Sequence, residues 1–274
     1  MTSIVQSSIQ KFYHNSNLNL VILHGLMGSK NNFKTVSQSP LWTSQLNSTH
    51  LLDLRNHGES PHTQSMTLGE MAGDLSDYIK GINDVVLLGH SLGGRVIFKY
   101  LQQYEKEVQE KVKGVIIVDI LPKAVQSTYV HELLKKLIQI NLNQITYNQL
   151  MEKVFEASQN KSIAQLLMTN LQSQQPIMRK DIQYDFKWRV NLQGILNDFQ
   201  TNILTDITAN WKGPHCVICG DRSQYVNNQT VNQMKMVFPN FKEAHFIQDC
   251  GHWVHSEKPQ EFIQIVSSFI QTLR

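Results

Sequence analysis

Acidic side chains are missing from the start of the chain: residues 1–52 hold no Asp and no Glu. That is one trait of a mitochondrial transit peptide. The same stretch also lacks Arg and runs almost directly into an apolar, strand-like segment, so a cleavable leader fits it poorly. Cysteine is scarce too. Cys216, Cys219 and Cys250 are too few for a disulfide framework and suit a reducing compartment. Cys216 and Cys219 form a C-x-x-C, but HCVICG reads as a strand, where residues three apart point to opposite faces, so a shared metal is not expected. Apolar runs such as VIIV at 115–118 fall far short of the ~20 residues a membrane-spanning helix needs. Like charges do not form blocks, and the net charge is only +3, which argues against a nucleic acid or a membrane surface as partner. With GxGxxG, P-loop and HExxH patterns absent, nucleotide and zinc-protease readings are weak, and a small-molecule substrate is the expectation.

What is present is enough apolar material for a large core. At 274 residues, 41% hydrophobic and 17% charged, the chain fits one large α/β domain or two small ones. Asn and Gln are abundant in the middle without forming long tracts. Short apolar runs recur at 18–25, 49–54, 84–90, 112–120, 214–220 and 241–247, and their continuous character suits strands covered on both faces. Helical patterns at 68–82 and 95–109 lie between them, which predicts a mostly parallel, doubly wound sheet. The connection from Ile120 to Pro214 is too long for an ordinary joint. Within it, three sets of residues follow amphipathic helical spacing: Val130, Leu133, Leu134, Leu137 and Ile138; Tyr147, Leu150, Met151, Val154 and Phe155; and Trp188, Leu192, Ile195, Leu196 and Phe199. We therefore expect a core of residues 1–121 and 211–274 with a helical cap, 122–210, inserted over the carboxyl edge of the sheet, where such folds bind ligands.

GHSLG, residues 89–93, sits directly after the strand-like VVLL and before a helical pattern. A serine in a sharp strand-to-helix turn needs small neighbours, and Gly89 and Gly93 supply them, leaving the Ser91 hydroxyl above the sheet edge as a nucleophile. The N–H groups at the helix start can stabilise an oxyanion: Leu92 contributes one, and Leu26, in the HGLMGS loop after an earlier strand, contributes the second. If the order is nucleophile, acid, base, the base is a histidine of DCGHWVH; His252 is favoured, with His255 as the alternative. The acid is less obvious. Counting G-x-x-D from Gly220 reaches Ser223, and Asp221 is displaced from that slot. VIIVDI instead puts Asp119 at the end of the strand after the nucleophile's own. Adjacent strands lie ~4.8 Å apart, so Asp119 is within reach of a histidine above Ser91. A carboxylate fixes the imidazole tautomer and stabilises the imidazolium, which a hydroxyl cannot do. The expectation is Asp119 as acid with Ser223 in support, and Asp221 stays open as the alternative. In DLRNHGESPH, Gly58 permits a tight turn, while Arg55 and Asn56 hydrogen-bond loops at the pocket mouth; Trp188 packs the cap, and Arg189 faces a polar leaving group or a carboxylate.

HGLMGSKNNF, DLRNHGESPH, GHSLGG, VDILP, FKWRVNL, GDRSQYV and GHWVHSEKPQEF together resemble the α/β-hydrolase family that includes abhydrolase domain-containing protein eleven and small bacterial esterases. The resemblance implies an α/β-hydrolase fold, a helical cap, and cleavage of acyl esters or thioesters without a cofactor or metal. It also implies an acid in the turn of Asp119 with a serine in the later turn. Two departures stand out: VDILP replaces a VDI-small-P pattern, and Asp221 occupies a position that is usually glycine. Animal members are mitochondrial, which implies that location by analogy alone. The rival expectation is a catalytically silent hydrolase-fold scaffold or binding module, supported by the missing carboxylate at 223. A haloperoxidase or lyase on the same fold has no distinguishing feature here.

Overall fold

A computed structural model describes residues 5–12, 16–124, 128–173 and 175–274. Among the described residues one seven-stranded sheet runs in the order β1-β3-β2-β4-β5-β6-β7. Its strands are β1 (Gln6–Lys11), β2 (Asn19–Leu23), β3 (Ser48–Asp53), β4 (Val85–His90), β5 (Val112–Val118), β6 (His215–Gly220) and β7 (His245–Ile247). Only the β1–β3 pairing is antiparallel; the others are parallel. Strand β1 has no counterpart among the apolar runs of the sequence. QSSIQK is mostly polar and exposed, as an edge strand can be, so periodicity does not reveal it.

The central strands are buried on both sides because their residues alternate between two cores. Val21, Leu23, Leu87, Val115 and Ile117 join one cluster, while Leu20, Ile22, Leu88, Ile116 and Val118 join the other. Cys219 lies in the first and Cys216 in the second, so the C-x-x-C does straddle the sheet. Each fully buried aliphatic side chain contributes about 1.5–3 kcal/mol of apolar burial. Helices α1 (Leu68–Ile79), started by a Thr67–Glu70 capping box, and α2 (Leu92–Gln103) cover one face, and α7 (Pro259–Gln271) packs against the other.

Between β5 and β6 lie α3 (Thr128–Ile138), α4 (Tyr147–Ser158), α5 (Lys161–Met168) and α6 (Leu192–Asp198). Two of the three apolar stripes match α3 and α4. The third is divided: Trp188 ends a short strand, Phe186–Trp188, paired with Leu171–Ser173, and the helix starts only after Asn191, whose side chain accepts the Gly194 N–H at 3.0 Å. Helix α5, capped by Asn160 accepting the Ile163 N–H at 3.1 Å, was not expected. No helix among the described residues is long and apolar enough to cross a membrane.

Candidate active site

The strand registers align the groups that matter along one rim. Leu23 pairs with Gly89, His90 with Val118, and Val118 with Ile218. The residues just beyond each strand therefore emerge side by side. The Ser91 N–H donates to the Val118 carbonyl at 3.0 Å, and the Asp119 N–H donates to Ile218 at 2.9 Å. Ser91 has φ 51° and ψ −115°, a left-handed conformation that a non-glycine residue holds only when its surroundings over-determine it. The surroundings leave no room for side chains: a Cβ on Gly89 would lie 2.6 Å from the Gly94 nitrogen, and one on Gly93 would collide with the Leu23 carbonyl. Ser91 thus caps the start of α2 and opens into a cavity of about 550 Å³.

Asp119, fully buried and also at positive φ, carries a carboxylate with three donors. Oδ1 accepts the Gly220 N–H at 3.3 Å; Oδ2 accepts the Ser223 hydroxyl and, at 2.6 Å, Nδ1–H of His252. With Nδ1 donating, the His252 Nε2 is left as an acceptor. Asp221 does something else. Exposed, it accepts the Cys250 N–H at 3.0 Å, a bond that holds its carboxyl below the usual range and fixes the loop leading to His252. Ser91 and His252 line the same cavity, with no hydrogen bond between the hydroxyl and the ring.

Two further histidines stand behind the ring. His90 Nε2–H donates to the His252 carbonyl at 2.9 Å, tying the Ser91 turn to the His252 loop. His255 is buried in the short helix Val254–Glu257 and stacks on Phe33 with centroids 4.2 Å apart. Burial pushes the His255 imidazole down to about 3 and His90 well below its ordinary value, so both are neutral packing groups at pH 7. On the open side, Tyr225 lies 4.2 Å and Trp253 5.7 Å from the His252 ring, centroid to centroid.

The loop after β2 is held by a histidine latch. The Leu54 N–H donates to His24 Nε2 (3.1 Å) and the Met27 N–H to His57 Nε2 (3.0 Å), while their Nδ1–H groups donate to the carbonyls of Gly25 and Arg55. Burial lowers both, His57 to about 3, which keeps the accepting nitrogens unprotonated. The Gly93 N–H is taken by the His24 carbonyl at 3.1 Å. Among the described residues no acceptor takes the N–H of Leu26 or of Leu92, and both residues line the cavity beside Ser91. Free N–H groups on one cavity can bind developing negative charge where they point to the same place.

Arg55 does not reach the pocket mouth. It is largely buried against Asp74, at 2.6 and 2.8 Å, and Glu70. Asn56 accepts the N–H of Thr63 and the amide of Asn191, joining two loops. Arg189 lies 3.7 Å from Glu59, and Trp188 packs partly buried on the core cluster. The cavity's lining is largely apolar and includes Val130, Leu133, Ile163, Leu167, Phe199 and Ile203. His90 and Arg95 also border it; the sequence patterns single out neither, because one sits at a variable position of G-x-S-x-G and the other reads as an ordinary helix residue.

The family model for the α/β hydrolase fold matches residues 19–259. The chain is 31% identical over 262 residues to the sn-1-specific diacylglycerol lipase ABHD11 of Xenopus tropicalis, covering 92% of this chain and 78% of that protein. It is 24% identical to esterase YbfF of Escherichia coli strain K12, over 94% of both. Among solved structures, a marine microorganism esterase superposes with a TM-score of 0.81 at 26% identity, covering 97% of this chain and 99% of that one.

Proposed function

The chain belongs to the α/β-hydrolase fold family, among its esterases and lipases, and on that premise we propose that it cleaves acyl esters or thioesters through Ser91, His252 and Asp119. Ser91 Oγ attacks the acyl carbonyl while His252 Nε2 takes its proton, and the N–H groups of Leu26 and Leu92 bind the oxyanion. The alcohol or thiol leaves with that proton. Water, deprotonated by the same imidazole, then frees the acid from Ser91. Asp119 holds the ring in the Nδ1–H tautomer and stabilises the imidazolium, while Ser223 orients the carboxylate. The lack of a hydrogen bond between Ser91 and His252 is compatible with this, since catalytic hydrogen bonds commonly tighten only around substrate.

The observation that carries this reading is the 2.6 Å contact between His252 Nδ1 and Asp119 on the rim that also bears Ser91. Residues 122–210 act as the cap, their apolar wall sheltering the acyl chain. A p-nitrophenyl butyrate assay tests the proposal: a burst of p-nitrophenol is expected, and Ser91→Ala abolishes it. A folded wild-type protein with no burst and no turnover on esters or thioesters favours the silent scaffold instead. The mitochondrial location implied by resemblance is a proposal for fractionation of the source cells to decide.

A further inference from the structure

The two passages that join residues 122–210 to the sheet run side by side. The Ile207 N–H donates to the Pro122 carbonyl at 3.1 Å, and the Ala124 N–H to the Asp206 carboxylate at 2.8 Å. One guanidinium lies across both. Arg95, on α2 four residues after Ser91, is 2% exposed. Its Nε–H donates to Ile203 (3.0 Å), its Nη1 to Leu121 (3.0 Å) and Lys123 (3.4 Å), and its Nη2 to Thr205, all at main-chain carbonyls. No carboxylate forms a salt bridge with it among the described residues. Burial lowers the guanidinium to about 10, with Asp206 opposing, so it stays charged at neutral pH.

A buried cation without a paired anion is costly, and it persists here because carbonyls take up four of its five N–H donors. Arg alone among side chains carries five N–H groups in a rigid planar fork, and so can satisfy carbonyls from two separate segments at once. Ile203 ends a π-helical turn, Phe199–Ile203, and the last carbonyls of a helix have no intrahelical partner, so its oxygen is open to the guanidinium. Three of the four residues held, Leu121, Lys123 and Ile203, line the cavity, as do Phe199 and Leu204 beside them.

We infer that Arg95 is a positioning residue for acyl-chain selectivity: it clasps both ends of the 122–210 segment to the nucleophile's helix and so fixes the part of the cavity lining that Leu121, Lys123 and Ile203 supply. This rests on the esterase reading of the same site. The clasp itself does not touch the reacting atoms. Loosening it allows Leu121 and Ile203 to shift, which changes the fit of longer acyl chains more than that of short ones.

The test uses the full chain as wild type, Arg95→Lys and Arg95→Met. Amide hydrogen exchange is followed in residues 120–124 and 203–207, and kcat/KM is measured on butyrate, octanoate and laurate p-nitrophenyl esters. Exchange in both segments is expected to rise roughly tenfold in Arg95→Met and less in Arg95→Lys. The octanoate-to-butyrate ratio of kcat/KM is expected to change by roughly tenfold, mainly through KM. A third variant, Arg95→Ala, leaves space for the missing group: it should show the same two changes as Arg95→Met, and added guanidinium ion at non-denaturing concentration should restore part of both. Unaltered exchange in the two hinges and an unaltered chain-length ratio in Arg95→Met, or in Arg95→Lys if Met prevents folding, would overturn the clasp. If wild type hydrolyses no ester, the esterase reading fails on its own, and hydrogen exchange still decides whether the guanidinium secures the hinges.

Discussion

Two turns at the ends of neighbouring strands each present an aspartate, and the two differ in burial and in the side chains they receive. Asp119, after β5, is buried, held at positive φ, and receives Gly220, Ser223 and His252 on its two oxygens. Asp221, after β6, is exposed and receives the Cys250 N–H. A position count along the chain would have chosen the second turn for the acid. What separates them is which way the strand end points its side chain and what is left to satisfy there: a buried carboxylate must collect donors, and the imidazole Nδ1–H is one. The serine at 223 then becomes intelligible as a donor to Asp119 rather than as a replacement for it.

The contrast can be broken in several ways. Asp119→Asn reverses the hydrogen-bond preference for the ring and should reduce kcat on a soluble ester by roughly 10³–10⁴-fold, with the fold retained by circular dichroism. Ser223→Ala removes one donor from the same oxygen, and a loss of about tenfold in kcat is expected, appearing only while Asp119 is present; in an Asp119→Asn background it should have little further effect. The histidines packed around the site give a stability readout. Unfolded His titrates near 6.5, whereas folded His57 and His255 titrate at about 3, so the unfolded chain binds more protons between those values. Their contribution is complete above pH 6.5 and is lost as pH falls towards 3, at about 1.4 kcal/mol per pH unit per histidine. Denaturant titrations at several pH values should show stability falling as pH falls through that window, and His255→Phe should reduce the slope by one histidine's share, leaving that of His57. The smallest effect belongs to Asp221→Asn, which should change kcat by less than about threefold, since a neutral amide oxygen can still accept the Cys250 N–H.

Much of this arrangement is legible in the amino-acid order because the core elements are locally consistent. Each of the strands β2 to β6 contains an apolar run, and G-H-S-L-G requires its glycines for reasons that hold in any strand-to-helix turn. The resemblance to the α/β-hydrolases carries the same placement. Other parts depend on tertiary context. β1 pairs through its backbone at an edge and needs no apolar stripe. The stripe through Trp188 mixes a ribbon residue with a helix, because Asn191 starts α6 later than periodicity suggests. Arg95 and His90 act through contacts with chain 26 to 162 positions away, Arg95 on main-chain carbonyls and His90 on the His252 carbonyl, which no local pattern encodes. Arg55, read as a mouth residue, is drawn inwards because Asp74 sits one α1 turn beyond Glu70 and offers both oxygens.

The most direct test of the central assignment is covalent labelling with a fluorophosphonate, followed by peptide mapping, on wild type, Asp119→Asn and Asp221→Asn. The account predicts modification of Ser91 at similar rates in wild type and Asp221→Asn, and modification slower by orders of magnitude in Asp119→Asn. A folded wild type left unlabelled at Ser91, or a rate that collapses in Asp221→Asn while Asp119→Asn reacts normally, would contradict it.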